Sequence, residues 1–251
     1  MMLVAEYVLH GFALVPIPSG AKGPVAPGWN LPEKAVVTSD DAELINGNVG
    51  LLHAYCSPPT AAVDIDNLTA TTILLDAEGI NVAQLLDDQD AVLVSSGRPN
   101  RAKLLYRLPE NNIPLETIKI NDPKTGKSVV EFRCASSNGN SVQDVLPPSI
   151  HPETGKEYIW AGQGHWSKLP ELPAEILEYW TRQLKQRGTS NRTTSTVSVT
   201  NPAITLPPAT IHNLRSALLY MRSDGREHWI KAGMALHDLG DTGRGLWLEW
   251  S

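Results

Sequence analysis

The chain has 251 residues, 41% of them hydrophobic and 19% charged, with a formal net charge of −6 at pH 7. This supplies enough apolar material for one large domain plus a smaller piece. The acidic balance excludes nucleic-acid binding through the whole surface, so any polyanion contact must come from a local basic patch.

Cys56 and Cys134 are far apart and make no disulfide framework, so they read as reduced, buried residues of an intracellular protein. His53 and Cys56 have a metal-like spacing, but no second Cys/His pair completes a zinc site. The N-terminus has no basic n-region and no apolar run long enough for a signal peptide or a membrane span. A cytoplasmic protein is expected.

Residues 1–10 place Leu3, Tyr7 and Val8 on one helical face, with Gly11 as a stop. Residues 12–17 read as a buried strand closed by Pro18. A Gly/Pro-rich loop over 19–29 follows, carrying Lys22 and Trp29. It lacks the P-loop pattern, and on pattern alone it is a rigid surface loop pinned by Trp29. A short helix over 39–45 opens with an N-cap serine and early acids. Strands are expected over 49–53 and up to Asp66.

The second of these ends in Val63-Asp64-Ile65-Asp66. Side chains alternate faces along a strand, so the two aspartates share one face while Val63 and Ile65 enter the core. Their Cα atoms would lie about 6.5 Å apart. Two carboxylates at that distance repel by roughly 2 kcal/mol at an effective dielectric near 20. A divalent cation of the Mg²⁺ class uses such a pair of oxygen donors. The plainer alternative is a strand ending in polar residues before the turn at Asn67.

Helical spacing returns over 67–78 and 81–90, and a β-rich run covers 91–96. From Ser95 to Leu108 the chain then holds Arg98, Arg101, Lys103 and Arg107 without one acid. Gly97, Pro99 and Asn100 mark a turn, and 103–108 reads as the returning strand. Cations concentrated at a hairpin tip suit phosphate, because guanidinium pairs bidentately with its oxygens and lysine adds a point charge. The plainer alternative is a solvated basic loop.

Residues 118–120 and 128–133 form a plausible hairpin. Glu131 sits inside its second arm, an acid in an otherwise apolar strand, which is unusual unless paired or metal-bound. Residues 142–146 lead into Pro147-Pro148-Ser149-Ile150-His151-Pro152, where His151 is held stiffly between prolines. An amphipathic helix over 173–186 closes the domain. A Thr/Ser-rich linker follows from Gly188, and then three helices over 211–221, 224–239 and 242–251. With no terminating signal at Trp250-Ser251, the natural protein is expected to continue.

Several motifs come in the order seen in one family: Lys22-x-Pro24 with Gly28-Trp29, Asn48-Val49-Gly50-Leu51-Leu52, Val63-Asp64-Ile65-Asp66, Ser96-Gly97-Arg98, and Pro147-Pro148-Ser149-Ile150-His151 with Gly155 and Tyr158-x-Trp160. Over about residues 1–180 the chain resembles the primase-polymerase domains of the archaeo-eukaryotic primase superfamily, common in phages, plasmids and integrated elements. The tail, with Trp229 to His237 and Leu246 to Ser251, resembles the small helical domain that links such domains to a helicase.

The resemblance implies an α+β fold, with a mixed, largely antiparallel sheet flanked by helices. It implies a catalytic domain over 1–187, a linker over 188–207 and a helical domain over 208–251. It maps the family's metal-binding acids onto Asp64, Asp66 and Glu131, and so implies nucleotidyl transfer from (d)NTPs with two Mg²⁺ or Mn²⁺ ions on a single-stranded DNA template. Ser96, Arg98, Arg101, Lys103, Ser149 and His151 become nucleotide contacts, and Lys22, Arg107 and Arg133 candidate DNA contacts. One departure stands out. Where the family usually carries Ser-x-His, with the histidine on the triphosphate, this chain has Lys103-Leu104. Arg101, Lys103 or His151 would then grip the phosphates.

The competing reading is a replication-initiator module that binds nucleotide or DNA without chemistry. A nuclease on a related fold is weaker, since the paired histidines and tyrosine of rolling-circle nicking enzymes are absent. An ATPase is disfavoured by the missing P-loop.

Overall fold

The computed structural model describes residues 4–109, 114–193, 208–219, 232, 236 and 239–250. Most of the expected linker, from 194 to 207, and most of the helix expected over 224–239 lie outside the described residues. The chain divides into a first unit through Thr189 and a second from Ser190.

In chain order the first unit runs α1 (Ala5–Leu9), β1 (Leu14–Ile17), α2 (Ser39–Glu43), β2 (Asn48–Leu52), β3 (Thr60–Ile65), α3 (Leu68–Asp76), α4 (Val82–Asp87), β4 (Val92–Ser95) and β5 (Ala102–Arg107). It continues with β6 (Ile118–Asn121), β7 (Ser128–Arg133), β8 (Gln143–Leu146), β9 (Ile159–Ala161) and α5 (Ala174–Thr193). The fold is α+β, as expected. The strands divide between two sheets rather than sharing one: a three-stranded sheet in the order β1-β2-β8 and a six-stranded sheet in the order β6-β7-β3-β5-β4-β9. Every strand pairing is antiparallel.

The split has a local cause. Between β2 and β3 the chain makes a 3₁₀ turn over His53–Tyr55 and then meets Pro58 and Pro59, which carry no N–H for a ladder. β2 therefore pairs with β1 and with β8, about a hundred residues on, and not with its neighbour in sequence.

β3 lies inside the six-stranded sheet and is covered on both faces. Its odd residues Ala61, Val63 and Ile65 join a core with Leu75 of α3, Val130 and Phe132 of β7, and Ile176, Tyr179 and Trp180 of α5. Spacings of three and four along α5 place these last three on one stripe. Burying each such large side chain contributes about 1.5–3 kcal/mol, and the Trp180 indole N–H also donates to the Glu116 carbonyl at 2.8 Å. The even residue Ala62 packs into a second core with Val92, Val94 and Leu105 and with Leu14, Leu51 and Leu146 of the small sheet. Asp64 shares that second face, so it stands where the two sheets meet.

Asn67 caps α3 by accepting the Ala70 amide at 3.1 Å. α5 continues to Thr193, beyond the expected stop near Gln186 and into the first residues of the expected linker. Gly188 lies within it, at a cost of roughly 1 kcal/mol relative to alanine in a helix interior.

In the second unit, α6 (Pro208–Leu219) and α7 (Gly240–Trp250) contribute Leu218 and Leu246 to a small core with Ala232 and Leu236. Arg215 and Glu249 join the two helices by an ion pair of 2.8 Å. Among the described residues no helix is long and apolar enough to cross a membrane.

Candidate active site

The register of the large sheet sets out one row of charge. Asp64 on β3 lies opposite Glu131 on β7 and opposite Lys103 on β5, and Glu131 in turn lies opposite Lys119 on β6. Residues directly opposite have Cβ atoms about 4.5–5.5 Å apart, so Glu131, Asp64 and Lys103 are lateral neighbours on one face. Asp66 follows β3, its amide donating to the Val129 carbonyl at 2.9 Å.

The turn before β5 delivers Arg101 to Asp66, with which it forms an ion pair. Gly97 and Asn100 both have positive φ, +70° and 58°, conformations that glycine and asparagine adopt most readily. Asn100 then stitches the turn to the start of α3. Its carbonyl accepts the Leu68 amide at 3.0 Å, and its side-chain amide donates to Asn67 Oδ1 at 3.2 Å.

Asp64, Asp66, Ser96, Arg98, Arg101, Lys103 and Tyr158 line one cavity of about 210 Å³. Glu131 is not part of this lining. It stands beside Asp64 in the row and is held by Lys119 at 2.9 Å and Arg133 at 2.5 Å. Ser96 Oγ accepts from Arg98 Nε at 3.3 Å.

The loops of the small sheet reach the cavity through Tyr158, whose amide donates to the Ser149 carbonyl at 2.8 Å. The buried Asn48 side chain donates to the carbonyls of Ala21 and Ile150, at 3.0 and 2.8 Å, and accepts the Ile150 amide at 2.8 Å. It thereby clamps the Lys22 loop and the 149–151 segment to β2. Ser149 is buried, and its hydroxyl accepts the Val49 amide at 2.8 Å. Lys22 is held by Glu153 at 2.5 Å.

His151 is buried against Tyr158, ring centroids 5.5 Å apart. Its Nδ1 accepts the amides of Glu153 and Thr154 at 3.2 and 3.3 Å. In the neutral ring that leaves the proton on Nε2, and Nε2 is buried without a hydrogen-bond partner. Burial, with Lys22, Arg98 and Arg101 nearby, lowers the pKa of this ring.

Behind Lys103 is a cluster that no sequence motif singled out. Asp144 of β8, 4% exposed, takes Lys103 Nζ at 2.5 Å and His53 Nε2 at 2.9 Å, with Arg133 Nε at 3.1 Å. His53 Nδ1 lies 2.9 Å from Thr60 Oγ1. The His53–Cys56 spacing thus reflects two buried side chains that bond to Thr60 and not a metal pair. Burial would raise the Asp144 carboxyl, but Arg133, Lys103 and His53 hold it well below the usual range. Burial outweighs Asp144 at His53 and lowers the pKa of that ring.

The remaining candidates are spread out. Arg133 is turned inward to Glu131, Asp144 and the Gln143 carbonyl. Arg107 is four residues along β5 from Lys103, about 13 Å at 3.3 Å per residue. It donates to the Leu169 carbonyl at 2.8 Å, away from the cavity.

Asp64 is the acid whose charge is least compensated. Burial raises its carboxyl pKa and Lys103 opposes this, but Asp144 and Asp66 add like charge. Lys103 is shared, lying 3.2 Å from Asp64 and 2.5 Å from Asp144. A buried-edge carboxylate with half a counter-ion favours a bound cation, and an all-oxygen donor set of Asp64, Asp66 and Glu131 suits Mg²⁺ or Mn²⁺ in kind. Among the described residues, however, no three acidic, histidine or cysteine side chains stand grouped as for one ion. Each acid is turned instead to a lysine or arginine, Asp64 to the Lys103 that it shares with Asp144. Lys119 and Arg133 do this for Glu131, holding its carboxyl below the usual range despite burial.

Residues 4–175 match the family model of the bifunctional DNA primase/polymerase N-terminal domain. No curated protein matches the chain.

Proposed function

This chain belongs to the bifunctional DNA primase/polymerase family, and we propose that it transfers nucleotidyl groups from (d)NTPs to a 3′-hydroxyl on a single-stranded DNA template through the cavity of Asp64 and Asp66. Enzymes of this family are generally metal-dependent. The observation that carries the reading is the division of charge around that cavity. Acids stand on the β3 side, and Arg98, Arg101 and Lys103 on the turn and strand beside it.

Asp64 and Asp66, with Glu131 beside them, are the residues to hold Mg²⁺ or Mn²⁺. Such ions, when bound, stabilise charge on the attacking and leaving oxygens of an in-line displacement. Arg98, Arg101 and Lys103 receive the triphosphate. The buried Nε2–H of His151 is a further donor for it, and Ser96 and Ser149 complete the loops that carry these groups. The chain's own ion pairs explain how the site accepts so charged a ligand. Arg101 leaves Asp66, and Lys103 turns from Asp64, to meet the phosphates, which would free both carboxylates to hold a cation, so each charge exchanges one partner for another. The 3′-hydroxyl gives its proton to solvent, its oxygen bonds to the α-phosphorus, the bond to the β-phosphate oxygen breaks, and Arg98, Arg101 and Lys103 neutralise the departing pyrophosphate.

Lys22, on the loop that Asn48 ties to the segment of Ser149 and His151, is the candidate to meet DNA. We assign residues 1–187 to catalysis and the helices from 208 on to a domain that couples to a helicase, in the replication of a phage, plasmid or integrated element.

Primer extension and unprimed synthesis on single-stranded DNA, with labelled ribo- and deoxyribonucleotides, test this. Asp64→Ala and Glu131→Ala should each abolish incorporation with circular dichroism unchanged. Arg101→Ala combined with Lys103→Ala should raise KM for nucleotide. A wild-type chain that binds dATP yet incorporates nothing on any template would establish the non-catalytic binding module instead.

A further inference from the structure

The contact between Lys103 and Asp144 joins the two sheets, from β5 to β8, directly behind the cavity. Asp144 does not line that cavity. It stands in a strand of buried apolar neighbours, Val145 and Leu146. An acid in such a place is not needed for packing, since buried ion pairs are often replaceable by apolar side chains of similar volume without loss of stability. Its two oxygens are nonetheless fully engaged. Oδ2 meets His53, itself fixed by Thr60, and Oδ1 meets Lys103 and Arg133.

The lysine it holds has a flexible four-carbon stem and three donors. One of them is directed to Asp144 and one to Asp64. The third is left for a ligand in the cavity that Lys103 lines. With Asp144 removed, the ammonium keeps one anionic neighbour and is no longer fixed in position. We propose that Asp144, braced by His53, is a positioning residue that sets Lys103 for the nucleotide triphosphate. This inference rests on the nucleotide reading of the cavity.

A double-mutant cycle in primer extension tests it, with dATP and Mg²⁺ or Mn²⁺ and with KM and kcat read separately. Asp144→Asn should raise KM for dATP about ten-fold, the size of one lost charge-assisted hydrogen bond, with kcat within about three-fold. Lys103→Met should raise KM at least as far and should also lower kcat, because its charge on the departing pyrophosphate is lost. In the Lys103→Met background, Asp144→Asn should change KM by less than about two-fold, because its route to the nucleotide is gone. Should Asp144→Asn alone fail to fold, Lys103→Met against the double variant still decides, since the double removes both charges.

An unchanged KM in either single variant overturns the proposal, as does a further ten-fold rise from Asp144→Asn in the Lys103→Met background, which marks a merely structural acid. A failure of the underlying reading looks different, because wild type itself would then show no use of dATP, and the proposal would fall with it.

Discussion

Asp64 and Asp144 are bound to the same ammonium and handle charge in opposite ways. Asp144 is 4% exposed and is held by Lys103, Arg133 and His53, so its carboxyl lies well below the ordinary range. Asp64 is 27% exposed, shares Lys103, and has its pKa raised by burial. The fold therefore favours the anion at one site and disfavours it at the other. A fully compensated acid is a fixed anchor for the cations that surround it. An undercompensated one at a cavity edge reports on something that is to bind there.

The widest gap between the two should come from Asp64→Asn. Loss of an acid proposed to hold the metal is expected to reduce incorporation at least a thousand-fold, about 4 kcal/mol of transition-state stabilisation. Thermal stability should stay level or rise. The sign follows from linkage: a carboxyl whose folded pKa is raised above the unfolded value opposes folding at neutral pH, and stability is regained as the pH falls through that raised value. A melting temperature that drops together with activity would place Asp64 in the same class as Asp144.

The reverse pattern is expected of Asp144→Asn. Leaving Arg133 and Lys103 short of a buried partner should cost about 3 kcal/mol, visible as a lower urea midpoint. The same depressed carboxyl stabilises the fold above the ordinary carboxylate range and stops doing so as the pH falls through its folded value. The acid limb of wild-type unfolding should therefore flatten in this variant.

Only part of this contrast was legible in the residues. Asp64 and Asp66 could be read because a strand's period of two is local, and Arg98, Arg101 and Lys103 because four cations without an acid stand out in an acidic chain. Glu131 was found as an acid in an apolar strand. Asp144, in Val142-Gln143-Asp144-Val145-Leu146, carries the same local signal, which alone does not distinguish it. What gives it meaning is pairing across the two sheets, and contacts between residues 41 and 91 positions apart leave no trace in local periodicity. The two-sheet division escaped for the same reason. β2 pairs with a strand about a hundred residues away, where sequence order suggests β3.

A finer test separates the two regions by pH. The rings of His53 and His151 are both buried with lowered pKa, the first beside Asp144 and the second beside the cavity. Below the ordinary imidazole value near 6.5 the unfolded chain takes up protons that these rings refuse. Stability should then fall as the pH drops from 7 to 5, by up to about 1.4 kcal/mol per pH unit for each proton. His53→Gln should remove one part of that slope in urea titrations, and a slope unchanged by it would show that the buried cluster does not titrate with folding.

The smallest effect is expected at Arg107, which shares a strand with Lys103 yet belongs to neither region. About 13 Å of β5 separates the two residues, and the Arg107 guanidinium is exposed and tied to the Leu169 carbonyl. An exposed substitution of this kind should shift stability by no more than about 0.5 kcal/mol. Arg107→Ala should also leave KM for nucleotide unchanged, because Arg107 is not among the residues that line the cavity. Filter binding of single-stranded DNA at two salt concentrations gives the sharper reading. If Arg107 meets a phosphate, the variant loses affinity and its salt dependence drops by about one counter-ion. If it does not, both curves coincide with wild type. The cations that matter are then those the turn and β5 bring to Asp64 and Asp66, and basic composition along the segment does not by itself mark a contact.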